Sequence, residues 1–399
     1  MTKRNREVWI TGIGLVSCFG EGATYHWEIL GGDKAPVAIQ EKQLFAPYTV
    51  HPMPEIDWSK QIPRRGDQRQ MENWQRLGTY AAGLALDDAG LKDDEELVSS
   101  MDLVVAAGGG ERDIDSDRQI MAEGKNHNDR ERLLIERLPN DLRPTLFLAQ
   151  LSNLLAGNIS IVHKVTGSSR TYMGEENAGV TVIENAVARI SAGQSTHALV
   201  GGAYNAERLD LLLIQELGNY LAHNCSDPVI KRLASGGGMI PGSSGAFLVL
   251  EDAEFAKARG VKPYAKISGV ASDMGPRDDD AVAERTKSIF ESLPQPQNAV
   301  DSIISGASGV KDITEQEFAF LDRQFGSETP VRATNTLIGN SMEGTFPASI
   351  ALAALALKNG KFFPPFEDSE KPATQDPKTI LVTSFGHRHG EGLALLEKV

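Results

Sequence analysis

The late segment SFGHRHGEG carries the densest group of chemistry-bearing side chains, His387, His389 and Glu391. On an extended segment, residues two apart point the same way, so these side chains have the donor types of a metal site. Two loop histidines and one carboxylate more often fill polar space, and no metal is expected. A second pair, His223 and Cys225 in AHNCSDP, has the types of a base and a nucleophile, but nearness in sequence does not supply their geometry. Cys18 sits in the turn expected after the first apolar run. That run, ITGIGLVSCFG, places Gly12-x-Gly14 after a strand, as a dinucleotide fingerprint would begin. Ser17 stands at the third glycine position and no helix opens there, so no cofactor is expected. His26, His51, His127, His163 and His197 have no partner pattern and read as structural or exposed.

Some framework must position these residues, and composition bounds it. The chain has 399 residues, 41% hydrophobic and 24% charged, which is an ordinary folding composition. The net charge of −14 argues against a general nucleic-acid or membrane-surface binder. Two cysteines cannot build a disulfide framework and fit a reducing, cytoplasmic setting. No secretory signal and no apolar run long enough to span a bilayer is read.

Short apolar runs alternate with helix-period segments, the pattern of an α/β protein. In the first part, strands are expected at Val8 to Thr11, Leu103 to Ala107, Thr171 to Met173, Ala198 to Gly202 and 246–251. Helices are expected at Tyr25 to Leu30, Met71 to Ala89, about Leu146 to Ile161, and Asn177 to Ala192. Residues 111–143 are charged and weakly periodic, either a partner-contacting excursion or a solvated helical one. In the second part, strands are expected at 264–270, 299–305, 331–333, 379–384 and 393–397, with helices near 280–292, 315–325 and 342–358. RTYMGEENAGVTVIENAVARISAG and VRATNTLIGNSMEGTFPASIALAALALKNG share one layout, and GAFLVLE matches EGLALLE. These echoes suggest a duplication, with halves 1–252 and 263–399 joined through EDAEFAKARGVK.

Several segments in order carry a resemblance. VWITGIGLVSCFGEGATYHWEILGG, LSNLLAGNISIVHKVTGSS, IENAVARISAGQSTHALVGGA, GSSGAFLVLEDAEFAKARGVKPYAKISG and the late SFG together resemble the β-ketoacyl-acyl-carrier-protein synthases. The resemblance covers almost the whole chain and implies a thiolase-like duplicated fold of five layers, αβαβα. In that family a cysteine thiolate at a buried helix start attacks the acyl group, and two histidines assist decarboxylation and stabilise the enolate oxygen. Counted without gaps from Gly201-Gly202-Ala203, the cysteine position falls on Glu176. The histidine positions fall on Ala307 and Asn340, and the lysine of the second histidine turn on Asn335. The resemblance therefore implies vacated condensing roles.

Glu176 could fill a retired thiolate site or act itself, although attack by its carboxylate would give a mixed anhydride. His387 maps to the mouth of the family's pocket with Phe385 and His389, and its pairing with Glu176 would explain both changes together. Lys60, Arg64, Arg65 and Arg69 in SKQIPRRGDQRQM offer either a basic landing site for an acidic acyl carrier protein or a solvated helix start. The resulting expectation is a degenerate ketosynthase homologue that acts as the non-condensing partner, like a chain-length factor, of an active ketosynthase of the same fold. Two alternatives remain open: an acyltransferase or decarboxylase using the altered pocket, and a homodimeric acyl-binding scaffold.

Overall fold

The computed structural model describes residues 6–399 apart from 143, 298 and 389. Its strands are β1 (Val8–Ser17), β2 (Gly20–Glu21), β3 (Asp102–Ala106), β4 (Ser169–Tyr172), β5 (His197–Tyr204) and β6 (Ser244–Asp252), followed by β7 (Ala265–Asp273), β8 (Ser302–Ser305), β9 (Val331–Ala333), β10 (Thr379–Phe385) and β11 (Glu391–Glu397). Their order across the sheet is β4-β3-β5-β6-β1 and then β7-β11-β10-β8-β9, with β2 pairing β1. Read outward from the centre, the two runs match strand for strand. β3 and β8 lie parallel to both neighbours, while β6 and β11 run antiparallel to theirs. Among the described residues three residue pairs join the runs, Val8 with Ile267, Trp9 with Lys266 and Ile10 with Ala265.

β1, β5, β6 and β10 are buried on both faces, which explains their continuous apolar runs in place of alternation. Two helices, Glu175–Ser191 and Thr345–Asn359, lie in the middle and touch strands of both half-sheets. The second is buried all round from Thr345 to Leu357, as an interior helix must be. Asn73–Asp88 and Leu154–His163 cover the outer face of the first half-sheet; Asp279–Ser292 and Lys311–Phe325 cover that of the second. Helix and sheet layers thus alternate five deep. Among the described residues, no helix is long and apolar enough to cross a membrane.

The two ends of the sheet differ. At one end β4 is partly exposed and, among the described residues, pairs only with β3. At the other end the segment 363–371 covers β9. Glu370 accepts the Ala333 N–H (2.9 Å), and Arg332 donates to the carbonyls of Phe363, Pro364 and Lys371.

Several local expectations are corrected. β1 does not stop at Gly12 but runs to Ser17, so Gly12 and Gly14 lie inside a strand and form no phosphate-binding turn. Their role is close approach. An added Cβ would sit 2.4 Å from the Ala85 carbonyl oxygen at Gly12 and 1.9 Å from that of Ala81 at Gly14. The helix expected over 146–161 breaks into Leu146–Ala149 and Leu154–His163. At the break, Ser152 Oγ donates to the Gly108 carbonyl (2.6 Å) and the Gln150 backbone lies against Gly110. Residues 111–143 contain two largely exposed helices, Ile114–Gly124 and Arg130–Asp141. Helix Arg65–Gln70 is the solvated helix that SKQIPRRGDQRQM offered as one reading, whereas Glu95–Ser100, Leu209–Leu217 and Val229–Leu233 were not anticipated.

The strand glycines give a direct test. Gly14→Ala should lower stability by at least about 2 kcal/mol through overpacking against the covering helix. Gly66→Ala, in a helix with nothing near the new methyl, should be neutral or stabilising by up to about 1 kcal/mol. Urea unfolding of the two variants checks the contrast, and equal midpoints would refute it.

Candidate functional site

The head of the middle helix Glu175–Ser191 is entered through a tight turn. Gly174 and Glu175 both have positive φ, 142° and 56°, and the second is a left-handed conformation that a non-glycine residue adopts at a cost of about 1–3 kcal/mol. This turn drives Glu176 into the interior, where it is only 3% exposed. His387, 4% exposed, meets it there: Nδ1 lies 2.8 Å from Glu176 Oε1. The contact is a close polar one whose atoms are not aligned as a full hydrogen bond, and it is an ion pair when the imidazole is protonated. Burial, the largest single effect, would raise the Glu176 pKa, but the facing imidazole together with the backbone N–H groups of Glu176 and His387 holds the carboxyl below its usual range. The helix start favours the same ionised form.

The loop that presents His387 is fixed from below. Arg277 donates to the Gly386 carbonyl and pairs with the fully buried Glu391, which also pairs with Arg285. Both carboxylate oxygens of Glu391 are therefore engaged by arginines, so it is no metal ligand. Among the described residues no group of three or more histidine, cysteine, aspartate or glutamate side chains could hold a metal ion. His389 lies outside the described residues. The His387 ring stacks on Tyr220, with centroids 5.0 Å apart and planes 20° from parallel.

The other expected positions separate into two groups. Asn335 Nδ2 donates to the Gly306 and Ala307 carbonyls (2.9 and 3.0 Å), so Asn335 and Ala307 are joined. Asn340 is buried, and its Oδ1 accepts the Met342 N–H (2.9 Å). It leads into the turn Met342–Gly344, which packs on the middle helix at Gly179; a Cβ there would be 2.7 Å from the Glu343 carbonyl oxygen. Phe385 is not a pocket residue. It lies in the outer apolar cluster with Phe320, Val282 and Leu393, because the alternation of β10 turns it away from the middle layer. The His223–Cys225 pairing is also absent: His223 Nε2 contacts Glu216 instead (2.7 Å). Arg64, Arg65 and Arg69 are exposed with no carboxylate partner among the described residues, whereas Lys60 pairs with Glu21 (2.6 Å).

A cavity of about 290 Å³ opens beside this helix head. Its wall includes Glu175, Gly108, Trp74, Tyr204, Arg208 and Glu343. Arg208 donates to the Gly109 and Gly110 carbonyls and pairs with Asp210, which shapes the glycine run. Glu343 was missed in the sequence. The available signal was a lone carboxylate three residues after Asn340, just before the apolar run TFPASIALAALAL. Burial, reinforced by repulsion from Glu176 and Glu175, pushes its carboxyl up to about 7.

Two stability predictions follow from these carboxyls. Glu176→Leu should cost about 3–5 kcal/mol because the buried imidazole loses its partner, and adding His387→Phe should recover most of that. Additive losses in urea unfolding would show that the pair is uncoupled. Glu343 binds its proton more tightly folded than unfolded, so stability should fall as pH rises from about 4.5 to 7 and stay level above. Glu343→Gln removes that fall. Its advantage over the parent should grow across this window to about 2–4 kcal/mol, and a constant difference would contradict the assignment.

Comparison with known proteins accords with this architecture. The sequence model of the β-ketoacyl synthase N-terminal domain matches residues 5–256. The chain is 26% identical over 366 residues to the tetracenomycin polyketide synthase ketoacyl synthase beta subunit of Streptomyces glaucescens, covering 88% of this chain and 86% of that one. It is 24% identical over 424 residues to 3-oxoacyl-[acyl-carrier-protein] synthase 2 of Rhizobium meliloti, covering 98% and 95%. Among solved structures, the ishigamide ketosynthase/chain length factor superposes with a TM-score of 0.80 at 19% identity, covering 99% of this chain and all of the other. With the fold, the order of the segments and the matched domain in agreement, the chain belongs to the β-ketoacyl synthase family.

Proposed function

We propose that this chain is the non-condensing partner of an active ketosynthase of the same fold, in fatty-acid or polyketide-like chain building. The observation that carries the reading is Glu176, buried at the head of the middle helix and paired with His387. A thiolate mechanism uses the N–H groups and the positive end of a helix to hold sulfur as an anion. Here a carboxylate already occupies that place, and its charge would repel a malonyl group. Ala307 has no side chain that can donate or accept a proton. Asn340 can offer an amide N–H but cannot take up a proton. A partner that shapes a chain passage needs the fold and not these roles.

Two surfaces support an assembly. The open edge of β4 leaves backbone groups free to pair with another strand. Exposed Met173, Ile161 and Phe147 add apolar area nearby in the sequence on either side of that strand. One relative is named a beta subunit and one solved structure a ketosynthase/chain length factor, names that fit such pairing. The exposed Arg64, Arg65 and Arg69 on the helix Arg65–Gln70 and just before it suit an acidic carrier protein. We read the halves 1–252 and 263–399 as a duplication and the location as cytoplasmic, where Cys18 and Cys225 stay unbridged.

Purified alone, the protein should neither condense acyl and malonyl carriers nor become acylated. Co-expressed with an intact ketosynthase, it should form a stable mixed dimer and alter the length of the product. Condensation by the chain alone that disappears in Glu176→Ala would overturn the reading, as would exclusive homodimers with product length unaffected.

A further inference from the structure

The cavity beside the middle-helix head contains two polar groups that none of the roles above uses. Much of its wall is apolar or aromatic, from Trp74, Leu211, Ile214 and Met342. Into this wall Glu343 brings a carboxyl, 5% exposed, and Tyr204 a phenol that is also buried. The Glu343 carboxyl lies against Gly108, where an added Cβ would be 2.7 Å from Oε1, so the glycine makes room for it. Among the described residues neither the Glu343 carboxyl nor the Tyr204 hydroxyl bonds to another residue's side chain. Of the two cations in the same wall, Arg208 is committed to the Gly109 and Gly110 carbonyls and to Asp210, and Arg388 pairs with Glu175 (3.6 Å). The two groups thus face the cavity with hydrogen-bonding capacity unused by the protein.

We propose that Glu343, assisted by the Tyr204 hydroxyl, makes this cavity select an acyl chain bearing an oxygen function, a ketone or a hydroxyl, over a plain alkyl chain. The inference rests on the reading that the cavity receives an acyl chain. An alkyl chain laid over the carboxyl and phenol would strip their water and offer no bond in return, which is the asymmetry that lets a polar pocket reject an analogue lacking the matching group. A ketone oxygen can only accept, from the protonated carboxyl or the phenol. A hydroxyl can also donate, so it remains a partner once Glu343 ionises.

That difference separates the two kinds of chain by pH. The groups around Glu343 are Glu175 and Glu176 from the middle helix, Tyr204 from β5, Arg208 before the helix Leu209–Leu217, and Arg388 of the late loop, which pairs with Glu175. The two carboxylates, with burial, keep Glu343 protonated up to about 7. Ketone binding should therefore weaken as pH rises through neutrality, while hydroxyl binding changes little.

The test uses the purified full chain and three uncharged probes, the octanoyl, oxo-octanoyl and hydroxyoctanoyl thioesters of N-acetylcysteamine. Binding is followed by calorimetry and by the fluorescence of Trp74 in the cavity wall. The oxygenated probes should bind about tenfold more tightly than octanoyl. Glu343→Leu should bring the three within about twofold of one another, and Tyr204→Phe should reduce the preference in part. Glu343→Gln should keep the preference and lose its pH dependence. Circular dichroism checks that each variant is folded. Equal binding of all three probes by the parent, a preference that survives Glu343→Leu, or binding of no probe would overturn the inference. Condensing activity in the same preparation would instead overturn the non-condensing reading and leave the chain preference standing.

Discussion

A helix that starts in the middle of a five-layer protein brings its unpaired N–H groups and its positive end into a place that water reaches poorly. Something must answer that charge, and the rest of this site depends on what does. Glu176 answers it as a carboxylate. Its burial then requires a facing polar partner, which His387 supplies from another element 211 positions along the chain. The His387 loop in turn requires support, which comes from Arg277, Glu391 and Arg285 beneath it. The chain of dependence runs from one helix terminus through a buried ion pair to the last hairpin of the sheet. Glu343 lies at the margin of this arrangement and feels its negative side.

Much of the framework was legible because both faces of each half-sheet are covered. Runs such as AFLVLE and ILVTSF are apolar for that reason, and repetition of the pattern revealed the echo between halves before any strand order was known. Glycine was where legibility failed. A glycine that makes a turn and one that lets a helix approach a strand look the same in one sequence, so Gly12 and Gly14 were read as ending a strand that continues to Ser17. The break at residues 150–153 was hidden likewise, because it depends on contacts with Gly108 and Gly110 about forty positions earlier.

The site was legible where the resemblance supplied a register. It placed Glu176 and His387 at matching positions, and the geometry joins them. It gave no account of direction, so Phe385 was grouped with the pocket although strand alternation sends it to the outer core. Glu343 and Tyr204 stayed unnoticed for a different reason. Nothing in a local sequence tells whether a carboxyl has been given a partner, and theirs is decided by β5 and by the turn Met342–Gly344 meeting beside the middle helix.

The unequal ends of the sheet bear on how far assembly can proceed. β9 is sealed by Arg332, Glu370 and the segment around them, so no strand can be added there. β4 remains open. A molecule with two open edges can be extended without limit and tends toward fibres, whereas one with a single open edge is satisfied by one neighbour. When that neighbour has the same fold, its own open edge is consumed in the same contact. The covering of β9 is in that sense a stopper: a sheet continued through β4 into a second such molecule would end at a covered edge on either side.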